Sequence, residues 1–316
     1  MIRWLVIGIG DIARRRVIPA ILAEPRSRLQ ALVTRDPEKA AAYPGVEVFT
    51  NLEVALQTTP IDAVYVASPV FLHAPQTITC LNAGKHVLCE KPTALNLSAA
   101  QSMLAAASAH QRLFAVAYYR RLYPKLIRAR QLIAEGVVGQ PVLAEANCHE
   151  WRSNNAPDGA RSWLFNPAMA GAGPLFDIAC HRIDAINFLF GEPARATGLL
   201  SNAVQQAPVE DSASVLIQYP QGIHAAVDVR WNSHIERDQF RVIGTDGEIN
   251  LDPLSGPILR INGHEESLPP HDNLHYPCVE NFVSAILDDA PLACPGEQAL
   301  WTDRVLQTVL ADSLTC

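Results

Sequence analysis

From residue 2 to residue 117 the chain alternates short β-branched runs with helical segments, and this alternation constrains the fold more than any other feature. IRWLVIG (2–8), LQALVT (29–34), AVYVAS (63–68), HVLCE (86–90) and LFAVA (113–117) read as strands. Between them VIPAILAEP, LEVALQ, APQTITCLNAG and LSAAQSMLAAASAH carry apolar residues at helical spacing. Strand–helix–strand units of this length need crossover connections, which make the strands parallel and cover the sheet on both faces. Residues 1–120 are therefore expected to form an α/β, doubly wound parallel sheet. The pattern then changes. A helix (124–135) and a strand (142–148) lead through a Trp-, Asn- and Pro-rich loop to an apolar helix. ASVLIQYP, HAAVDVRW, DQFRVIG and EINLD follow as alternating strands, the mark of a mostly antiparallel open sheet with one wet face. Two further helical stretches, VENFVSAIL and ALWTDRVLQTVLADSL, complete an expected α+β domain over 121–316.

A chain of 316 residues exceeds one ordinary core, consistent with two domains. No window approaches the roughly 18 apolar residues of a membrane span. The N-terminal MIRWLVIGIGD lacks the long apolar core of a signal peptide, so a cytoplasmic protein is expected. A net charge of −7 argues against nucleic acid as a partner. The seven cysteines are scattered without a CxxC pair, which points to neither disulfides nor structural zinc. His271 and His275 have i, i+4 spacing, but Pro269, Pro270 and Pro277 argue against the helix that would converge them on a metal. No metal site is expected.

The first strand runs into GIGDIA, a G-x-G-x-x-A turn at Gly8, Gly10 and Ala13. The first glycine permits the tight turn, the second lets backbone N–H groups approach a pyrophosphate, and the alanine lets the helix pack on the strand. The position after the first strand makes this a Rossmann dinucleotide site. At the end of the second strand, LVTRDPEK places Thr34 where an NAD-binding protein carries a ribose acid, with Arg35 beside it. A hydroxyl and a guanidinium suit a 2′-phosphate, a charge-assisted contact of about 1.5–3 kcal/mol, so NADP(H) is favoured over NAD(H). A one-residue shift would instead make Asp36 the ribose acid; alternatively it caps the next helical turn ahead of Pro37. The expected cofactor set is Gly8, Gly10, Asp11, Ile12, Thr34, Arg35, Ser68, His73, Glu90 and Lys91.

Two features carry chemistry. HVLCEKPTAL ends a strand in Glu90–Lys91–Pro92, at the carboxyl edge of the sheet where ligands bind. Pro92 stiffens the corner, and Lys91 there can polarise a substrate oxygen. GPLFDIACHRIDAINFLFG (173–191) reads as a helix that is apolar nearly all round, yet Asp177, His181 and Asp184 fall on one narrow stripe. An Asp hydrogen-bonded to His fixes the tautomer and raises basicity, as a general acid/base requires. The stripe reads as the wall of a site.

GIGDIA, CEKP and AGAGPLFDIACHRID together resemble the glucose–fructose oxidoreductase / inositol dehydrogenase / rhizopine-catabolism (Gfo/Idh/MocA) family, in matching order over essentially the whole chain. FRVIGTDGEINLD and the FVSAI helix look like family features as well. The resemblance implies hydride transfer between NAD(P) and a sugar, polyol or keto sugar. It also implies a second domain for substrate binding whose open sheet mediates homodimer or homotetramer contacts. By motif it makes Lys91 the EKP lysine and Asp177 and His181 the D-x-x-x-H pair, with His181 or Lys91 as acid/base and Asp184 in support. Departures cluster around the expected substrate pocket: Cys180 precedes the histidine, the lead-in is Gly171–Ala172–Gly173, and YYRR (118–121) replaces Asn-Arg-Arg. Tyr119, Arg121, Arg161 and Trp163 are the expected pocket residues. Two other readings compete: a non-catalytic dinucleotide-binding regulator, and a glycosidase of the wider family that retains NAD.

Overall fold

β1 (Ile2–Ile7) is buried at five of its six positions, as a strand covered on both faces must be. The computed structural model describes residues 1–153 and 162–313. Parallel pairing extends β1 to β2 (Ser27–Val33) and β3 (Glu47–Phe49) on one side. On the other side lie β4 (Ala63–Val66), β5 (His86–Cys89) and β6 (Phe114–Val116). The order β3-β2-β1-β4-β5-β6 reverses between β1 and β4, which places a ligand crevice at the carboxyl ends of those two strands. The crossovers contain α1 (Ile18–Ala23), α2 (Leu52–Thr58), α3 (His73–Asn82) and α4 (Leu97–Ala109). Asn51 and Asn96 cap α2 and α4 by accepting from Val54 N and Ala99 N. The short edge strand β3 was not expected; three residues, largely exposed, carry no readable period.

The second sheet begins with α5 (Pro124–Ala134) and the long β7 (Pro141–Trp151). After α6 (Pro167–Ala170) and α7 (Cys180–Phe190) come β8 (Arg195–Ser201), β9 (Ser212–Gln218), β10 (His224–Arg230) and β11 (Asn232–Gly244). β12 (Glu248–Asn250), β13 (Ile258–Ile261) and β14 (His264–Ser267) complete it in the order β14-β13-β12-β11-β7-β10-β9-β8. Neighbours pair antiparallel except β7 and β10, which run parallel, so the sheet is mixed but mostly antiparallel. Alternation sets its faces. Ala213, Val215, Ile217, Val227, Val229, Phe240 and Val242 point into the core, while Leu199 and Leu216 on the opposite face are 68% and 60% exposed. Sequence patterning had not revealed β8, β13 or β14.

Clustering of the backbone divides the chain into two units, Met1–Tyr119 with His271–Leu300, and Arg120–Pro270 with Trp301–Cys316. Residues 271–300, expected in the second domain, thus group with the first sheet. α8 (Tyr276–Leu287) presents Val279, Phe282 and Val283 as a buried stripe, and the Phe282 ring packs on Trp4 at 5.7 Å. Arg26 pairs with Asp288 at 2.5 Å beyond the end of that helix. α9 (Gly296–Ser313) is the last helix. Among the described residues no helix is long and apolar enough to cross a membrane.

Candidate active site

In the first unit the glycine turn has the form the sequence demands. Gly8 adopts φ +90°, and a Cβ there would meet the Ala67 carbonyl oxygen at 2.9 Å, so only glycine fits. Around Gly10 no atom lies within 4 Å of where a Cβ would stand, leaving the approach that a pyrophosphate needs. Helical backbone starts at Asp11 and Ile12, continues through a wide π turn at Ala13–Val17 and runs into α1. The fully buried Ala13 packs as the fingerprint requires. These residues fit a dinucleotide phosphate group at a helix N-terminus.

At the end of β2, Thr34 is buried, and its hydroxyl accepts from Asp36 N and donates to Asp36 O at 3.2 Å. Asp36 caps the turn Pro37–Ala40 by accepting from Glu38 N at 3.2 Å, and it pairs with Lys39 at 3.6 Å. Arg35 is exposed. The carboxylate that could have served as ribose acid is thus engaged in its own loop.

Lys91, half-buried, follows β5 at a corner whose Lys91–Pro92 peptide is cis. Beneath it Glu90 is 7% exposed. Its Oε1 accepts from the Tyr65 hydroxyl at 2.8 Å and from His275 Nε2 at 3.0 Å, and its Oε2 accepts from Lys91 N at 3.2 Å. Burial alone would raise the Glu90 pKa, but hydrogen bonding and attraction from His275, then the Tyr65 hydroxyl and Lys91, outweigh it and pull it to about 2. Burial and the Glu90 charge push the Tyr65 phenol well up, so it remains a donor. His73, 1% exposed, places Nδ1 2.9 Å from Pro92 O and Nε2 2.9 Å from Ser68 O, tying the corner to the end of β4. The Ser68 hydroxyl donates to Gln76 at 2.7 Å. His73 and Glu90, two residues of the expected cofactor set, brace the backbone of this corner.

In the second unit the helix of the polar stripe starts at a built N-terminus. Glu210 accepts from Gly173 N at 2.8 Å and Leu175 N at 3.0 Å, satisfying donors that a helix start leaves open. A Cβ on Gly173 would overlap the Glu210 carbonyl, which explains the glycine of the lead-in. Leu175–Ala179 form a π turn that carries Asp177, and His181 and Asp184 follow on α7. Asp177 is half-buried with Arg152 Nη1 3.5 Å from its Oδ2. Arg152 also donates to Glu150 from Nε and Nη2 at 3.0 and 2.6 Å and lies 4.9 Å over the Trp231 ring. His181 is 5% exposed on the first turn of α7. Asp184, 1% exposed, takes a two-bond contact from Arg121, Nε to Oδ2 at 2.9 Å and Nη2 to Oδ1 at 2.7 Å.

Arg121, one of the expected pocket residues, is 1% exposed and pairs with the Asp184 carboxylate inside the unit. A guanidinium beside a buried carboxylate is held there because parting them would strand two charges. Tyr119 lies against the His275 ring at 4.8 Å. Trp163 is half-buried in the turn Ser162–Phe165, and Arg161 lies outside the described residues. Tyr65, His275 and Arg152 were missed. A tyrosine in the otherwise apolar AVYV strand was a legible hint of a buried polar partner; nothing local marked the other two. Among the described residues no His, Cys, Asp and Glu cluster could hold a metal.

Comparison with known proteins bears on this geometry. Residues 2–118 match the family model described as oxidoreductase family, NAD-binding Rossmann fold, and residues 126–250 match the GFO/IDH/MocA C-terminal domain. A 1,5-anhydro-D-fructose reductase of Ensifer adhaerens is 30% identical over 316 residues, covering 96% of this chain and 93% of that protein. A D-xylose 1-dehydrogenase [NADP(+)] of Haloarcula marismortui is 26% identical, covering 99% and 91%. Among solved structures, an aldose-aldose oxidoreductase from Caulobacter crescentus, complexed with glycerol, superposes with a TM-score of 0.88 at 25% identity, covering 99% of this chain and 98% of that one.

Proposed function

Because this chain belongs to the Gfo/Idh/MocA oxidoreductase family, we propose that it transfers a hydride between NADP(H) and a carbon of a sugar, polyol or keto sugar. The observation that carries the reading is the Glu90–Lys91 corner: a rigid strand end presents a lysine over a carboxylate that stays ionised. Bound nicotinamide supplies or accepts the hydride. Lys91 acts as a fixed cation that polarises the substrate oxygen. His181 gives that oxygen its proton in reduction and takes it in oxidation. Asp177, with Arg152 as counter-charge, orients a substrate hydroxyl.

Preference for NADP(H) is supported by Asp36, which is engaged as a cap and with Lys39, while the neighbouring Arg35 stands exposed for a 2′-phosphate. A homo-oligomer through the open face of the second sheet is supported by the exposed Leu199 and Leu216 on that face.

The test is a fluorescence titration with NADPH and NADH, followed by a turnover screen of keto sugars and aldoses that includes 1,5-anhydro-D-fructose and D-xylose. Tight NADPH and weak NADH are expected. Arg35→Ala should raise the Kd for NADPH about 10–100-fold and leave that for NADH within about 3-fold. Tighter NADH in the unmodified protein overturns the cofactor assignment and makes Asp36 the ribose ligand.

A further inference from the structure

His275 is an expensive residue for the place it occupies. It is 1% exposed at the start of α8, and its Nδ1 has no hydrogen-bond partner among the described residues. A leucine or methionine would fill similar space without leaving a buried nitrogen unsatisfied. What the imidazole adds is one donor, Nε2, 3.0 Å from Glu90 Oε1. The residue is held at its ring and at its backbone. Tyr119 lies against it at 4.8 Å, and the His275 backbone N–H donates to Asn273 Oδ1 at 3.1 Å. Asn273 Nδ2 in turn donates to Arg16 O at 2.8 Å, within the helical run that follows the Gly8–Gly10 turn. One short segment therefore connects the backbone of the phosphate-binding helix to the carboxylate under Lys91.

We propose that His275 is a positioning residue for Lys91. Its Nε2–H and the Tyr65 hydroxyl hold the Glu90 carboxylate in one orientation, and Glu90 Oε2 then takes the Lys91 N–H and keeps the corner in a single backbone position. Two donors on Oε1 leave Oε2 directed at the lysine backbone; with Tyr65 alone the carboxylate could rotate. The inference rests on the reading of Lys91 as a catalytic residue. A displacement of about 1 Å at such a group costs on the order of 100-fold in rate, so a residue that only orients can still govern turnover.

The experiment compares His275→Leu, His275→Gln and His275→Asn with Lys91→Ala and the double variant Lys91→Ala/His275→Leu. It measures kcat with NADPH and 1,5-anhydro-D-fructose, the Kd for NADPH, and hydrogen exchange of the Lys91 amide. His275→Leu should lower kcat about 10–100-fold with NADPH affinity within about 3-fold, and should speed exchange of the Lys91 amide. His275→Gln, whose amide nitrogen reaches the Nε2 position, should recover most of the rate; the shorter His275→Asn should not. This Gln–Asn contrast decides the matter if His275→Leu does not fold. Placed on Lys91→Ala, His275→Leu should cost less than about 3-fold, because it acts through the missing lysine.

Wild-type kcat in His275→Leu, with Lys91→Ala inactive, overturns the positioning role and leaves the Lys91 reading intact. Full activity of Lys91→Ala sinks that reading itself; the exchange measurement then still decides whether His275 holds the corner, and an unchanged Lys91 amide means that it does not. Additive losses, or a parallel loss of NADPH affinity, make His275 a general structural residue and overturn the proposal.

Discussion

Glu90 in the first unit and Asp184 in the second are carboxylates with 7% and 1% of their surface exposed, and different partners satisfy them. Asp184 meets Arg121 through two parallel bonds, so the pair cancels its own charge. Glu90 meets a phenol, an imidazole and a backbone N–H, which satisfy its oxygens without a guanidinium to cancel the charge. A cancelled pair organises packing. The Glu90 carboxylate is instead kept ionised beside Lys91 by donors from three residues. On the proposed function, Asp184 serves structure and the Glu90 corner serves the reaction.

The comparison can be broken at either end. The largest effect is expected at His181, which shares a helix with Asp184 but is assigned to proton transfer. His181→Ala should lower kcat by about 10²–10⁴-fold while NADPH affinity stays within a few fold. Loss of both together would place His181 with Asp184 as a structural residue. Next, Arg121→Ala should cost about 3–5 kcal/mol in urea denaturation by stranding Asp184, and Arg121→Met/Asp184→Leu should restore most of it. A rate loss in the double variant that exceeds its stability loss would show that the ion pair serves chemistry after all.

Glu90 makes a pH test of the same contrast. Its folded-state pKa of about 2 lies below the unfolded value of about 4.3. The ionised form is therefore favoured by folding, and roughly 3 kcal/mol of stability is present above pH 4.3 and lost as pH falls from there to about 2. Glu90→Gln should flatten the stability profile over that window; an unchanged slope would mean that another group carries it. The smallest effect is expected at Arg152, which is one-fifth exposed beside Asp177. Arg152→Met should change stability by less than about 1 kcal/mol and lower kcat/KM for the sugar by roughly 3–10-fold.

Much of this was legible without coordinates because it is local. The glycine at φ +90° and the parallel strands each follow from a few adjacent residues. Asp36 also behaves as its neighbour Pro37 suggested, as a cap. Pairings between residues far apart along the chain were not legible. Arg121, expected in the pocket, is paired with Asp184, 63 positions on. His275 was considered and rejected as a metal ligand with His271, and its partner Glu90 lies 185 positions away.

The sequence by itself determined the alternation of strand and helix, the nucleotide turn, the lysine corner and a helix carrying Asp177, His181 and Asp184. Spacing of apolar and special residues is enough to specify such features, since each is set within one or two turns of backbone. Only the tertiary structure decided which buried acid is cancelled by an arginine and which is held charged by donors, and that residues 271–300 return to the first unit. Hydrogen bonds in a low-dielectric interior depend on atoms within about 3 Å, and no local pattern records which distant residue the fold will bring there.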